Sequence, residues 1–391
     1  MLRYNLVTFL YFGVASILST FYFPFLSQDV GLSLGEVSKA IAFGALFSLA
    51  SQPYLSHLFA KSRNKKRFMI VYFGLLAIVN VAMLFVDEQR IYLFAILYGC
   101  LALPLIGTYE IYIEKISSAR GYMYSKIRKW GSIGLGSVTL VGGSLIALAG
   151  FELLHAISLV FLAACAWIVY RKFETVEDSA ERPKMNYRKA LADKRVLVLF
   201  AMSFLGLGSY IGVDFAFSSY LTELTGSVRT SNQIFSVSTG VKVFLEFVTF
   251  TLLGLYFNRV DVKKAFVSVF VFSGLRFLFL STGELPLVVL GDQFHGLAFP
   301  LFLVTVFRYL RSLVPDELVP SCYGIVSMLV FGVSNLAYPP LFAAIQNYGG
   351  YGAMYTTNFA LSVAVIAIGI FGLPPGKRSR FVESSGETAS G

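Results

Sequence analysis

Eight ionisable side chains stand inside stretches that are otherwise apolar: Glu110, Arg128, Asp214, Lys242, Glu246, Arg276, Asp292 and His295. A formal charge at the centre of a bilayer costs about 2.5–3.5 kcal/mol, so the seven acids and bases would together cost on the order of 20 kcal/mol if unpaired. They must face one another or a wet cavity. The chemistry open to such a set is ion pairing, hydrogen bonding to a polar solute and reversible protonation. Glu110, Asp214, Glu246 and Asp292 outnumber Arg128, Lys242 and Arg276 by one. In a low dielectric the surplus carboxyl takes up a proton readily, which makes it a candidate proton carrier. Glu246 stands one helical turn from Lys242, a spacing that allows an i,i+4 ion pair. Glu110 and Arg128 lie nearer the ends of their runs, where snorkelling to water is an alternative reading.

The runs that hold these residues are long enough to cross a membrane, which takes about 20 apolar residues. Twelve such runs can be read: 4–26, 35–59, 68–86, 91–112, 129–149, 152–170, 196–220, 232–257, 264–282, 286–308, 320–345 and 352–373. The first is too long for a secretory leader and has no small-residue cleavage site, so it reads as a span. Most breaks are short and polar. The long one, 171–195, is rich in Glu, Lys and Arg and divides the chain into a six-helix bundle over 1–170 and a second over 196–373. Residues 374–391 read as a disordered tail, and the linker holds a candidate amphipathic helix around 187–196. At 1.5 Å per residue, Lys242 and Arg276 fall near mid-membrane, His295 about nine residues into its span, and Asp214 and Asp292 in the outer half.

The rest of the composition agrees. Of 391 residues 56% are hydrophobic and only 14% charged, against about 25% charged in a soluble domain. A soluble globular enzyme and a disordered chain are both excluded. The 38 Phe and 22 Tyr suit lipid-facing surface and interfacial belts. The net charge of +10 has a positional explanation: with the N-terminus inside, 27 of the 32 Lys and Arg fall on the inner side and three on the outer. Both termini and the linker are therefore expected in the cytoplasm, and no nucleic-acid partner is needed. Cys100, Cys165 and Cys322 make neither a disulfide framework nor a metal spacing. No P-loop, paired-His metal motif or Gly-x-Ser-x-Gly elbow is present, so neither ATP-driven pumping nor an enzyme is expected, and no cofactor. Pro24, Pro53, Pro104, Pro300 and Pro339-Pro340 are candidate kinks. Gly131, Gly134, Gly136, Gly142 and Gly143 mark the fifth span for close helix packing.

Two six-helix halves match the commonest plan of secondary transporters. The loop after the second span resembles the Gly-x-x-x-Asp-Arg-x-Gly-Arg motif of the major facilitator superfamily, with Ser56, Ala60 and Arg63 in place of its Gly, Asp and second Gly. Tyr109 to Ser117 followed by Lys126-Ile127-Arg128-Lys129-Trp130-Gly131 resembles the lactose permease family of oligosaccharide–proton symporters within that superfamily. So do Phe21-Tyr22-Phe23-Pro24-Phe25, Phe47-Ser48-Leu49 with Gln52-Pro53, Tyr210 with Asp214, Asn258-Arg259 with Arg276, and His295 with Pro300 and Tyr309. The resemblance implies an all-α membrane protein with the major facilitator fold, twelve transmembrane helices in two bundles. It also implies that Glu110 and Arg128 hold substrate hydroxyls, and that Asp214, Arg276 and His295 belong to the substrate and proton network. The chain departs from the family at Leu135, where a Trp stacks on the sugar, at Ala298, where a Glu carries the proton, at Asp292, which replaces a Lys, and at Val243, which replaces an acid. Asp292-Gln293-Phe294-His295-Gly296 is also similar to the phenylpropionate-permease branch.

The resulting expectation is a monomeric, proton-coupled symporter of the inner membrane, carrying a sugar-like or other small polar solute by alternating access. The alternative is a proton-antiporting exporter of amphipathic compounds. Glu110, Arg128, Trp130, Glu246 and His295 are the candidate substrate-binding residues. Asp214, Asp292, Arg276, Tyr210 and Lys242 are the candidates for proton coupling. Asp214 and Asp292 are expected to face each other as a carboxylate pair that shares a proton, with Glu246 as the second candidate carrier.

Overall fold

The computed structural model describes residues 1–122, 124–174, 189, 191, 193–256 and 261–374. Among them nine stretches are apolar and long enough to cross a membrane. Two of these, Lys126–Lys172 and Ser321–Gly372, are of double length and fold back at Gly150 and at Gly350. Val262–Leu280, with three basic residues, is a further full-length helix. The twelve helices are α1 Leu2–Asp29, α2 Leu34–Lys61, α3 Lys65–Met83, α4 Ile91–Leu101 continued by Leu105–Ala119, α5 (124–148), α6 (151–172), α7 Lys194–Thr225, α8 Val228–Tyr256, α9 Val262–Leu280, α10 Leu285–Leu313, α11 (319–349) and α12 (351–372). Each expected span coincides with one of them, and the described residues contain no strand. Residues 175–188 of the linker and 375–391 of the tail lie outside the described residues, as does most of the expected amphipathic helix at 187–196.

Local chemistry sets the helix ends. Ser33 and Glu36 form a reciprocal capping box at the start of α2. Asn64 caps α3 by accepting from Arg67 N–H, and Asp261 caps α9 by accepting from Lys264 N–H. These two caps are 197 residues apart. The same interval relates Lys66, which donates to Phe173 O at the end of α6, and Lys263, which donates to Ile370 O at the end of α12. Basic residues of loops that resemble a degraded superfamily motif thus satisfy orphan carbonyls at equivalent helix C-termini. The two corners repeat as well: Gly150 and Gly350 both adopt φ 72° and ψ −176°, a backbone region that residues with a Cβ avoid.

The prolines act unequally. Pro104 lies at the break in α4, and Pro24 sits beside π-helical turns in α1. Pro53, Pro300 and Pro339-Pro340 lie inside continuous helix. The two breaks that matter most have no proline. The backbone of α7 tightens to a 3₁₀ turn over Asp214–Ala216. That of α10 is interrupted between Asp292, which ends one segment, and His295, which starts the next.

The bundles meet along α5 with α8 and α2 with α11. A Cβ on Gly143 would overlap Asn232 O and Ser236 Oγ, one on Gly240 would press on Leu140, and one on Gly136 would touch Val243. The Gly143 amide donates to Ser236 Oγ at 2.5 Å. Gly332 on α11 packs on Leu49 of α2 in the same manner. Phe21 meets Phe235 edge-on, and Gln28 Nε2 donates to Thr222 Oγ1. All of these contacts lie at the midplane or beyond it, on the side away from the chain termini.

Candidate functional site

Asp292, at the break of α10, is the centre of the C-terminal cluster and is fully buried. Arg276 of α9 donates from one nitrogen, Nη2, to Asp292 Oδ1 and to Asp214 Oδ1, each at 2.7 Å. Lys242 of α8 lies 3.2 Å from Asp292 Oδ2, and Ser238 donates to the same oxygen at 3.0 Å. Gln293 in turn donates to Ser238 Oγ at 2.8 Å. The Arg276 guanidinium rests 4.5 Å from the centre of the Tyr210 ring and 5.7 Å from that of Phe277. Two acids and two bases therefore form a quartet whose charges sum to zero. This is the condition under which a buried ion cluster holds together in low dielectric.

One turn toward the terminal face lies a second pair. Glu246 Oε1 is 3.3 Å from His295 Nε2. The imidazole is stacked between Tyr210, at 5.3 Å, and Phe299, at 5.4 Å. Around these groups several buried polar atoms have no protein partner: Arg276 Nε and Nη1, Tyr210 Oη, His295 Nδ1 and Gln293 Oε1. Unmet donors and acceptors in a buried setting are costly, and a polar solute or water removes that cost.

The N-terminal bundle contributes Glu110 of α4 and Arg128 of α5. Arg128 Nε donates to Glu110 Oε1 at 2.7 Å and Nη1 to Ser132 Oγ at 3.3 Å. Its guanidinium lies 4.2 Å from the centre of the Phe12 ring, a cation–π contact. Tyr124 adjoins the same pair. The two side chains stay 30–35% exposed, so the pair is bonded across helices and wetted at once. Helices α5 and α8 run antiparallel, with Gly143 against Asn232 and Gly136 against Val243. This register sets Ser132, one turn from Arg128, at about the depth of Glu246.

Several expectations need correction. Lys242 does not pair with Glu246; it takes Asp292, and Glu246 takes His295. The reason is the break in α10, which turns Asp292 toward α8 while a helical i,i+4 pair leaves both groups short of further partners. Asp214 and Asp292 do not meet as a bare carboxylate pair, because Arg276 lies between them. Trp130 is half-buried and two residues from Arg128, about 200° round the helix, so the structure does not bring it to the Glu110–Arg128 pair. Ser132, Ser238 and Phe12 contact the expected site residues without any reading of the sequence naming them, and Gln293, named above only for a likeness on α10, joins them. Ser132 and Ser238 each sit four residues from a site base, Arg128 and Lys242, and Gln293 follows Asp292. Nothing in the sequence marks Phe12.

Two bundles joined across a charged and partly wetted centre, with site residues at helix breaks, define a multi-pass membrane protein of the major facilitator type. The chain belongs to the MFS_1 like family, whose model matches residues 1–337. It is 21% identical to the sucrose permease of Escherichia coli over 382 residues, 94% of this chain and 91% of that protein. It is 22% identical to the lactose permease of Klebsiella oxytoca over 383 residues, 91% of each chain. Among solved structures it superposes on the nucleoside transporter NupG with a TM-score of 0.79 at 16% identity, covering 94% of this chain and 98% of that one.

Proposed function

We propose that the protein is a secondary active transporter that carries a sugar-like or other small polar solute together with protons, by alternating access. The observation that carries this reading is the gathering of Asp214, Lys242, Arg276 and Asp292 at breaks in α7 and α10, beside buried donors and acceptors that lack protein partners. An arrangement of this cost has no structural use that an apolar core would not serve as well. Broken helices facing the membrane centre are where transporters place solute and coupling ions. The permease names of the curated relatives support a sugar-like solute and do not favour an exporter of amphipathic compounds.

In this reading Glu110 and Arg128 bind solute hydroxyls from the N-terminal bundle, and Tyr210, Arg276 and His295 bind from the other. Solute bridging both sets favours closure on the terminal side, because the contacts between bundles described above lie at the midplane and beyond it. Opening then follows on the far side, through separation of α5 from α8 and of α2 from α11. The bias of Lys and Arg supports cytoplasmic termini, and the permease relatives support the bacterial inner membrane. One chain supplies both half-sites, so the working unit is a monomer.

The test is uptake by the purified protein in proteoliposomes, with radiolabelled sucrose, lactose and uridine as probes. Accumulation of one of them that collapses when an imposed pH gradient is dissipated supports the reading. Uptake that only equilibrates, unaffected by the gradient, removes the proton from it.

A further inference from the structure

Within the transport reading, on which this inference rests, the location of the mobile proton is open, because the carboxyl that carries it in the resembling family is Ala298 here. We propose that the proton resides on the Glu246–His295 pair, and that the Asp214–Arg276–Asp292–Lys242 quartet is a permanently ionised latch that reads the pair's charge.

The quartet is a poor place for a transported proton. Asp292 is fully buried and its two oxygens already face Arg276, Lys242 and Ser238. Protonating it would strand two cations. Asp214 accepts from the same Arg276 nitrogen. Every member has a partner of opposite sign, and the sum is zero. Glu246 is the acid left over, and its partner is an imidazole, a group that can hold or release a proton. The pair is neutral when His295 is protonated and carries one negative charge when it is not. The His295 and Glu246 side chains are 13% and 22% exposed, against 0–1% for Arg276 and Asp292; Asp214, at 27%, is the wetted member of the latch and is held by Arg276, so a proton can reach the pair without passing Asp292. The ring stacks on Tyr210 and on Phe299. The groups that face the pair are Tyr210 and Asp214 from α7, Lys242 from α8, Arg276 from α9 and Asp292 from α10. From α11, Phe331 packs on Phe299 and brings no charge.

The geometry also gives the readout. Glu246 is one turn from Lys242 on α8, and His295 follows Asp292 across the break of α10. When the proton leaves, the bare Glu246 carboxylate competes with Asp292 for the Lys242 ammonium, through the i,i+4 approach that the protonated state leaves unused. Lys242 is then drawn along α8 and its tie to α10 loosens. Loss of one proton is thereby converted into relative movement of two helices at a break. The step balances as H⁺ leaving His295 for the cavity water, with Lys242 exchanging one carboxylate for another.

The chain has three histidines, His57, His155 and His295, which makes the proton site directly observable. In ¹⁵N-histidine NMR of the protein in lipid, a His57→Gln/His155→Gln background leaves one imidazole signal. The expected result is a pH-dependent His295 signal whose midpoint moves by about one pH unit or more in Glu246→Gln, a tenfold change in proton affinity. A His295 that does not titrate, or that titrates unchanged in Glu246→Gln, overturns the proposal. In proteoliposomes, Glu246→Gln is expected to lose gradient-driven accumulation of the active probe by tenfold or more; full accumulation by this variant also overturns it. A wild type that moves none of the probes counts against the transport reading, and the imidazole titration then still decides where the proton binds.

Discussion

Lys242 of α8 holds its ammonium 3.2 Å from Asp292 Oδ2 of α10, although a carboxylate of its own helix, Glu246, stands one turn away. The pair ties two helices of one bundle at the point where α10 is broken. Asp292 also accepts from Arg276, so one carboxylate is shared by two buried cations.

Asp292→Asn should therefore be the most damaging single change in the cluster. Removing one partner of a buried ion pair costs about 3–5 kcal/mol, whereas replacing both partners by neutral groups is much milder. The double variant Lys242→Met/Asp292→Asn should recover part of that loss, because no buried ammonium is then left without a carboxylate and Arg276 keeps Asp214. Thermal unfolding of the four proteins in a double-mutant cycle measures it. A double variant as unstable as the sum of the singles would refute the coupling.

The Glu110–Arg128 pair should behave in the opposite way. It is about one-third exposed, so its contribution to stability is expected to be below about 1 kcal/mol. Glu110→Gln and Arg128→Lys should leave the melting temperature near that of the wild type. They should weaken binding of the transported probe by about tenfold or more, since lysine cannot reproduce the bidentate donor set of arginine. Equilibrium binding alongside thermal unfolding separates the two effects. Unchanged affinity would make the pair a structural gate.

Closure on the side away from the termini depends on a missing side chain. Gly143→Val places a Cβ against Asn232 O and Ser236 Oγ, and backbone cannot yield as a flexible side-chain tip can. The variant should hold α5 and α8 apart and favour the conformer open on the far side. Spin labels at Gln28 and Thr222, whose side chains now lie 3.4 Å apart, should report a longer distance than in the wild type. Gly74→Ala, where a Cβ meets nothing within 4 Å, should leave that distance unchanged.

The corners at Gly150 and Gly350 offer a test of the internal repeat. Both share φ 72° and ψ −176°, and neither Cβ position is crowded. Alanine at either should cost about 1–2 kcal/mol, through backbone conformation alone. The two costs should be similar and add in the double variant, because the sites lie in different bundles. Chemical or thermal unfolding of the two singles and the double gives the answer.

Much of this protein can be read from its residues alone, for a physical reason: the bilayer imposes a length and a polarity on every span. The twelve helices and the identity of the costly charges follow from that constraint without knowledge of any contact. Which charge meets which does not follow. The i,i+4 rule pairs Lys242 with Glu246, and an acid-for-base exchange pairs Asp214 with Asp292. Both are overridden by where α7 and α10 break, and no proline marks either break. Trp130 and Arg128 are neighbours in sequence but point to different sides of α5. Phe12 reaches Arg128 from another helix with no signal in its surroundings. The basic loop residues read as the remnant of a motif, and only the folded chain shows Lys66 and Lys263 bonded to the ends of α6 and α12. Periodicity and composition are local properties and survive in the sequence. Partner choice depends on helix crossing, depth and breaks, and these exist only once the bundles have packed.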